Sequence, residues 1–389
     1  MLPPRSISAF PPSLDRESIR AALVTGGPWP STAEELVAAV CEQIGRDNGR
    51  WVAKPEEALL EELLIRTGGG GPAGPKIAAP ALGRSGYQAI LRRFRQIHWM
   101  EPGEGSLDPG PAEIAQAVDW GAQAVLLAPI TGNCAGLTNA AQLCGDAGAL
   151  LVVDARAAMG TRILESGPES YGDLCLVPVD CEPAPSPCPG AILFGASGQS
   201  KPTGRGPNGY RWALQVLRRC LGDEPRLRRL GFAPVGKPSR PAQPLFHAPP
   251  PWSVAVAFVR LGHAHDRASQ RAHHARALLQ NCGNLPAVHL IPDEVGLQSA
   301  GGSFPMLARE RDAVAEALLT FGVETVPEAF EWLAPPELRG PRAQKLAEEL
   351  LLLPLHPFYR AKDIDTIAEA LRRATARANS VVGPDLSET

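Results

Sequence analysis

The chain has 389 residues, 44% of them hydrophobic and 20% charged, with a formal net charge of −3. That balance excludes a disordered chain, which lacks the apolar surface to fold, and a nucleic-acid-coating protein, which needs a strong positive excess. The length is enough to bury a sizeable core, as one large domain plus a smaller one or as two of middling size. Neither the opening MLPPRSISAFPPSLDRES nor any later stretch has the apolar run of a signal peptide or the roughly 20 residues of a membrane span, so a cytoplasmic protein is expected.

Residues 13–66 read as helical, with Ser13 and Ser31 as N-caps and apolar spacing in ALLEELLI (58–65). Gly68 to Gly71 stop that run. A strand at 76–82, a helix over 85–95 and a second strand at 96–100 follow. Helix 109–119 leads into AVLLAPI (124–130), helix 137–147 into ALLVVDA (149–155), and DLCLVPV (173–179) precedes GAILFG (190–195). Uninterrupted apolar strands between amphipathic helices predict an α/β fold with a mostly parallel sheet covered on both faces. Asp154 closes one strand at its carboxyl end, where open α/β sheets place their ligands. The Pro- and Arg-rich stretch 221–251 reads as a long connection, setting a boundary near 250 between a large domain (1–250) and a small α+β domain (251–389). In the latter, a long helix over 252–280 is expected, then a strand at 304–308, a helix at 310–322, LLLPLHPFY (351–359) and a helix over 362–378.

The eight cysteines form no CxxC pair, so neither a zinc site nor a disulfide framework is expected; Cys181 and Cys188, in a proline-rich loop, are the pair for which metal or disulfide chemistry stays open. His263, His265, Asp266, His273 and His274 crowd one helical region, but the spacing of the first two is not that of one face, so no metal site is assigned.

Four stretches in order carry a family resemblance. These are NGRWVAKPEEALLEELL; SLDPGPAEIAQAV with AVLLAPITGN and AAQLCGDAGALLVVDARAAMG; SYGDLCLVPVD with PGAILFG; and LLLPLHPFYRAKDIDTIAEALRRA. Together they resemble the DegT/StrS-type sugar aminotransferases, which are pyridoxal phosphate (PLP) proteins of fold type I. The third part of the second stretch is similar to the family's strand ending in Glu-Asp-Ala-Ala. The resemblance implies a fold type I aminotransferase-like architecture and makes Asp154 the cofactor-binding aspartate that holds a proton on the pyridine nitrogen of PLP. His356 falls in the family's Leu-Pro-Leu-His-Pro signature and is expected to pack or to fix a loop.

Two departures weigh against catalysis. The family's PLP-holding lysine lies about nine residues before the alanine matched by Ala191, and that count reaches Glu182. A carboxylate there has no amine to offer. The family's strand, Ser-Gly-Thr turn and helix, whose N-terminus holds the PLP phosphate, also has no counterpart between ELLIRT and KIAAPAL, so the phosphate cup is expected to be deleted near 67–75. The leading expectation is therefore a degenerate homologue with no PLP and a scaffold or regulatory role in sugar, polysaccharide or secondary-metabolite biosynthesis, as a homodimer or paired with an active paralogue. One alternative is an active aminotransferase of a nucleotide-linked keto-sugar, with PLP on Lys201 in FGASGQSKPTGRGPNG. Another is a PLP-free nucleotide-sugar enzyme or binding module that uses Asp154, Arg156 and Glu182. Arg156 and Arg162 either neutralise Asp154 or bind an anionic ligand.

Overall fold

The computed structural model describes residues 29–68, 74–84, 86–132, 134, 136–158, 160–161, 166–178, 190–197, 249, 251–283, 285, 288–290, 303–325 and 330–382. Among these, the large part of the chain runs α1 (Ala33–Ile44), β1 (Arg50–Val52), α2 (Pro55–Arg66), β2 (Lys76–Pro80), β3 (Leu82–Arg84), α3 (Tyr87–Leu91), β4 (Gln96–Met100), α4 (Pro111–Asp119), β5 (Ala124–Leu127), α5 (Leu137–Ala147), β6 (Leu150–Asp154), β7 (Leu174–Pro178) and β8 (Ala191–Phe194). The remainder runs α6 (Pro251–Gly262), α7 (Ala264–Cys282), β9 (Val288–Leu290), β10 (Ser303–Ala308), α8 (Arg311–Thr320), β11 (Phe330–Trp332), α9 (Pro341–Glu349), β12 (Leu350–Pro354) and α10 (Ala361–Val382).

Seven strands form the central sheet in the order β1-β8-β7-β6-β5-β2-β4. Strands β4, β2, β5, β6 and β7 are mutually parallel, and β8 runs antiparallel to both β7 and β1. The fold is thus α/β with a mostly parallel sheet. β5, β7 and β8 are buried along their whole length, as their unbroken apolar sequences require once helices cover both faces.

Alternation along each strand sorts the side chains into two cores. Val125, Leu127, Leu151, Val153, Cys175 and Val177 point to a face covered by Leu36 and Val40 of α1, Ile114 of α4, Cys144 of α5 and Val254, Ala257 and Leu261 of α6. Leu126, Val152, Leu174 and Leu176 point the other way, against Leu59, Leu60 and Leu63 of α2 and Tyr87, Ile90 and Leu91 at α3. Asp154 stands two residues after Val152, so the same alternation turns it toward α2 and α3.

β12, β10 and β9 make a second, antiparallel sheet. One face packs Phe304, Met306, Leu351 and Leu353 against Leu278 of α7, Leu318 of α8 and Ile364, Ile367 and Leu371 of α10. Burying each such side chain contributes about 1.5–3 kcal/mol. β11 returns to the large part and pairs antiparallel with β3, Leu82 opposite Trp332.

Several boundaries differ from expectation. The helical stretch expected over 13–66 is broken: α1 ends at Gly45, whose φ of 65° is left-handed, and Arg50–Val52 pairs with β8 as an edge strand before α2 begins. Thr32, not Ser31, caps α1, its Oγ1 accepting from the Glu35 amide at 3.2 Å, while Ser31 donates to the Glu35 carboxylate. The expected helix over 85–95 shrinks to Tyr87–Leu91 because the chain turns at Arg92 and Arg93. The single helix expected over 252–280 is two, α6 and α7, separated at His263.

Candidate functional site

Asp154 ends β6 and is completely buried. Arg156 lies two residues on, in a single 3-10 turn that Asp154 itself caps by accepting the Arg156 amide at 3.0 Å. The tight turn swings the Arg156 side chain back over the strand end. There its Nε donates to Asp154 Oδ1 at 2.9 Å and its Nη2 to Oδ2 at 2.8 Å, a two-pronged contact that uses both carboxylate oxygens. The remaining terminal nitrogen, Nη1, donates to Glu56 Oε1 at 2.6 Å in the first turn of α2. The Tyr87 hydroxyl donates to Asp154 Oδ2 at 3.1 Å, and the Arg156 guanidinium carbon lies 5.9 Å from the centre of the Tyr87 ring.

The electrostatics follow from this geometry. Burial, and next the Asp154 carboxylate, push the Tyr87 hydroxyl well above its ordinary pKa, so it stays a donor. Burial opposes the charge on Arg156, but Asp154, then Tyr87 and Glu56, raise its pKa well above the ordinary guanidinium value. The result is a permanently ionised arginine shared between two carboxylates. Its side chain is 12% exposed and that of Glu56 24%, so the network opens to solvent on the Glu56 side while Asp154 is sealed beneath.

The approach to α2 differs from a phosphate-binding turn. Ala53 and Lys54 join β1 to α2, Pro55 takes the first helical position, and Glu56 and Glu57 put two carboxylates in the first turn. Lys54 Nζ is engaged by Glu57 at 2.9 Å. Acidic residues suit the positive end of a helix dipole, and they oppose an incoming anion there.

Of the residues singled out in the sequence, the structure brings Asp154 and Arg156 together as an ion pair. Glu182, Lys201, Arg162, Cys181 and Cys188 lie outside the described residues. Tyr87 and Glu56 are additions; Tyr87 lies outside the four resembling stretches and Glu56 lies inside the first without having been singled out, and the β6 alternation with the β1-to-α2 turn shows that they converge. Among the described residues no group of three or more His, Cys, Asp and Glu side chains is placed to hold a metal. The described cysteines 41, 134, 144, 175 and 282 are free thiols, and burial pushes Cys144 and Cys282 up to about 11.

Two further groups frame the sheet edge and the C-terminal core. Asp108, in the Leu-Asp-Pro motif, accepts from the Ile130 amide at 3.4 Å; burial raises its pKa to about 7, and among the described residues its Oδ2 has no hydrogen-bond partner. His356 accepts the Phe358 amide on Nδ1 at 3.3 Å, and its carbonyl accepts from His274 Nδ1 at 2.9 Å, which fixes the Leu-Pro-Leu-His-Pro loop to α7. Burial, then Arg271, Arg267 and His274, push the His356 imidazole down to about 3.

No family model matches the sequence, and no curated protein does. Solved structures match over nearly the whole chain. The aminotransferase TlmJ from Streptoalloteichus hindustanus superposes with a TM-score of 0.72 at 19% identity, over 96% of this chain and 100% of that one. A sugar aminotransferase from Streptococcus pneumoniae, Spr1654, solved in a PMP form, gives 0.71 at 13%, over 97% and 100%. A DegT DnrJ EryC1 StrS aminotransferase from Brucella abortus gives 0.66 at 16%, over 92% and 94%. The fold is that of the PLP fold type I aminotransferases, the architecture that sugar aminotransferases of the DegT/DnrJ/EryC1/StrS family share. Among the described residues no helix is long and apolar enough to cross a membrane.

Proposed function

We propose that this chain is a degenerate sugar-aminotransferase homologue that carries out no PLP chemistry and serves as a scaffold or regulatory subunit. Its setting is sugar, polysaccharide or secondary-metabolite biosynthesis, as a homodimer or beside an active paralogue. The observation that carries this is the Arg156 guanidinium spanning both oxygens of Asp154. With the Arg156 amide on Oδ1 and the Tyr87 hydroxyl on Oδ2 added to the fork, each Asp154 oxygen accepts two hydrogen bonds, so the carboxylate's acceptor positions are taken and the nitrogen of a pyridine ring would have to displace one of these donors. The residues present do not fit PLP at the other pole either, because Glu56 and Glu57 head α2 where a phosphate would need unopposed amides. In this reading the phosphate cup is altered in place rather than deleted: β1, Ala53, Lys54 and α2 form a strand, turn and helix ahead of β2.

The test is an absorbance spectrum of the purified protein with added PLP, before and after borohydride reduction, beside a Lys201→Ala control. A spectrum equal to free PLP supports the scaffold role. A band that borohydride fixes and Lys201→Ala abolishes makes the chain an aminotransferase. Thermal stabilisation by a nucleotide sugar without PLP makes it a binding module instead.

A further inference from the structure

We propose that Arg156 is a built-in cation that fills the place of a bound ligand at Asp154, and that removing it leaves a site selective for a small planar cation of the guanidinium class. The inference deepens the proposed loss of PLP chemistry by naming the group that closes the site.

Three observations on independent elements converge. Asp154 is fully buried at the carboxyl end of a central strand, the position that open sheets keep for ligands. Glu56 reaches the same guanidinium from the first turn of α2, so two carboxylates from separate elements face one planar cation. Tyr87 supplies an aromatic face alongside and a hydroxyl to Asp154. Two carboxylates, a ring and a hydroxyl arranged around a plane are a binding site for a planar, delocalised cation. The chain supplies that cation itself, two residues after Asp154.

A ligand that binds the folded state stabilises it by an amount that grows with the logarithm of its concentration above Kd, and loses that effect when dilute. An intramolecular cation is present at all times. The end of β6, α2 and α3 are therefore tied together by a group that never dissociates, which suits a subunit whose task is to keep its shape.

The experiment uses the full chain. Arg156→Ala removes the fork, and thermal melting is followed with increasing methylguanidinium chloride, against sodium chloride at equal ionic strength. The expected result is a melting temperature below that of the wild type, partly restored by methylguanidinium in a saturable manner and not by sodium. The wild type gains nothing. Arg156→Lys, which keeps a charge but not the plane, covers the case in which the alanine variant does not fold; it should melt between the two and also respond to methylguanidinium. Rescue that persists undiminished in Arg156→Ala combined with Asp154→Asn, or no saturable rescue in either single variant, overturns the proposal. A PLP band on the wild type overturns the scaffold role and leaves this readout to be judged separately.

Discussion

The Tyr87 hydroxyl and the Asp154 carboxylate, 67 positions apart in the chain, are joined by a buried hydrogen bond of 3.1 Å. Tyr87→Phe keeps the ring and removes that donor. We expect a loss of about 1.5–3 kcal/mol, the range for a hydrogen bond to a charged group, measured by urea unfolding. An unchanged unfolding midpoint would show that Arg156 alone satisfies Asp154.

Breaking the ion pair from the acidic side should cost more. Asp154→Asn leaves the Arg156 guanidinium with Glu56 as its remaining carboxylate partner, and removing one member of a buried pair typically costs about 3–5 kcal/mol. In a double-mutant cycle with Arg156→Ala the two losses should be strongly non-additive, the double variant being little worse than either single one. Simple addition of the two losses would mean that they act on separate parts of the fold.

Acid lability is expected from His356. Its folded pKa, about 3, lies below the unfolded value near 6.5, so the unfolded chain takes up a proton that the folded chain refuses. The stability contribution is complete above about pH 6.5 and is lost as pH falls toward 3. His356→Gln should flatten this part of the stability-versus-pH curve. A slope unchanged by the substitution would place the acid sensitivity elsewhere.

Asp108 acts in the opposite sense. A carboxyl raised from 3.8 to about 7 stays protonated when folded while the unfolded chain ionises, so stability declines as pH rises from about 4 to 7 and levels off beyond. Asp108→Asn removes the penalty, and its advantage over the wild type should be greater at pH 8 than at pH 4, on the order of 2–4 kcal/mol. Equal effects at the two pH values would refute a buried, reluctant acid.

Gly160 meets the start of α7 closely: a Cβ added there would lie 2.3 Å from the Ala264 carbonyl oxygen, and its φ of +88° is one that side chains rarely adopt. Gly160→Ala combines a backbone clash with strain, and we expect a loss of about 2–4 kcal/mol by thermal unfolding. Gly145→Ala, in open space within α5, is the control that should be neutral or slightly stabilising.

The α/β class was legible because β5, β7 and β8 are unbroken apolar runs that only a doubly covered sheet accommodates. Asp154 was legible for the same reason, as the polar residue closing such a run. Arg50–Val52 was not, since three residues carry too little periodicity to separate an edge strand from a helix flank. That omission hid Glu56 at the head of a helix following a strand. Tyr87 was invisible for another reason: its partner is set by which way Val152 and Asp154 face, a property of the assembled sheet. Arg156 was seen beside Asp154, but its two-pronged contact with that carboxylate was not, because it depends on the 3-10 turn that folds the side chain back.

The pairing of β3 with β11 bears on how the polypeptide is made. Leu82 waits for Trp332, 250 residues later, and a ribosome adding about 5–20 residues per second needs roughly 12–50 s to deliver it. Throughout that interval β3 presents unpaired amides and carbonyls to any other nascent chain. The last third of the protein thus acts as a seal on its first third, and a message truncated before residue 330 would leave β3 without its partner strand.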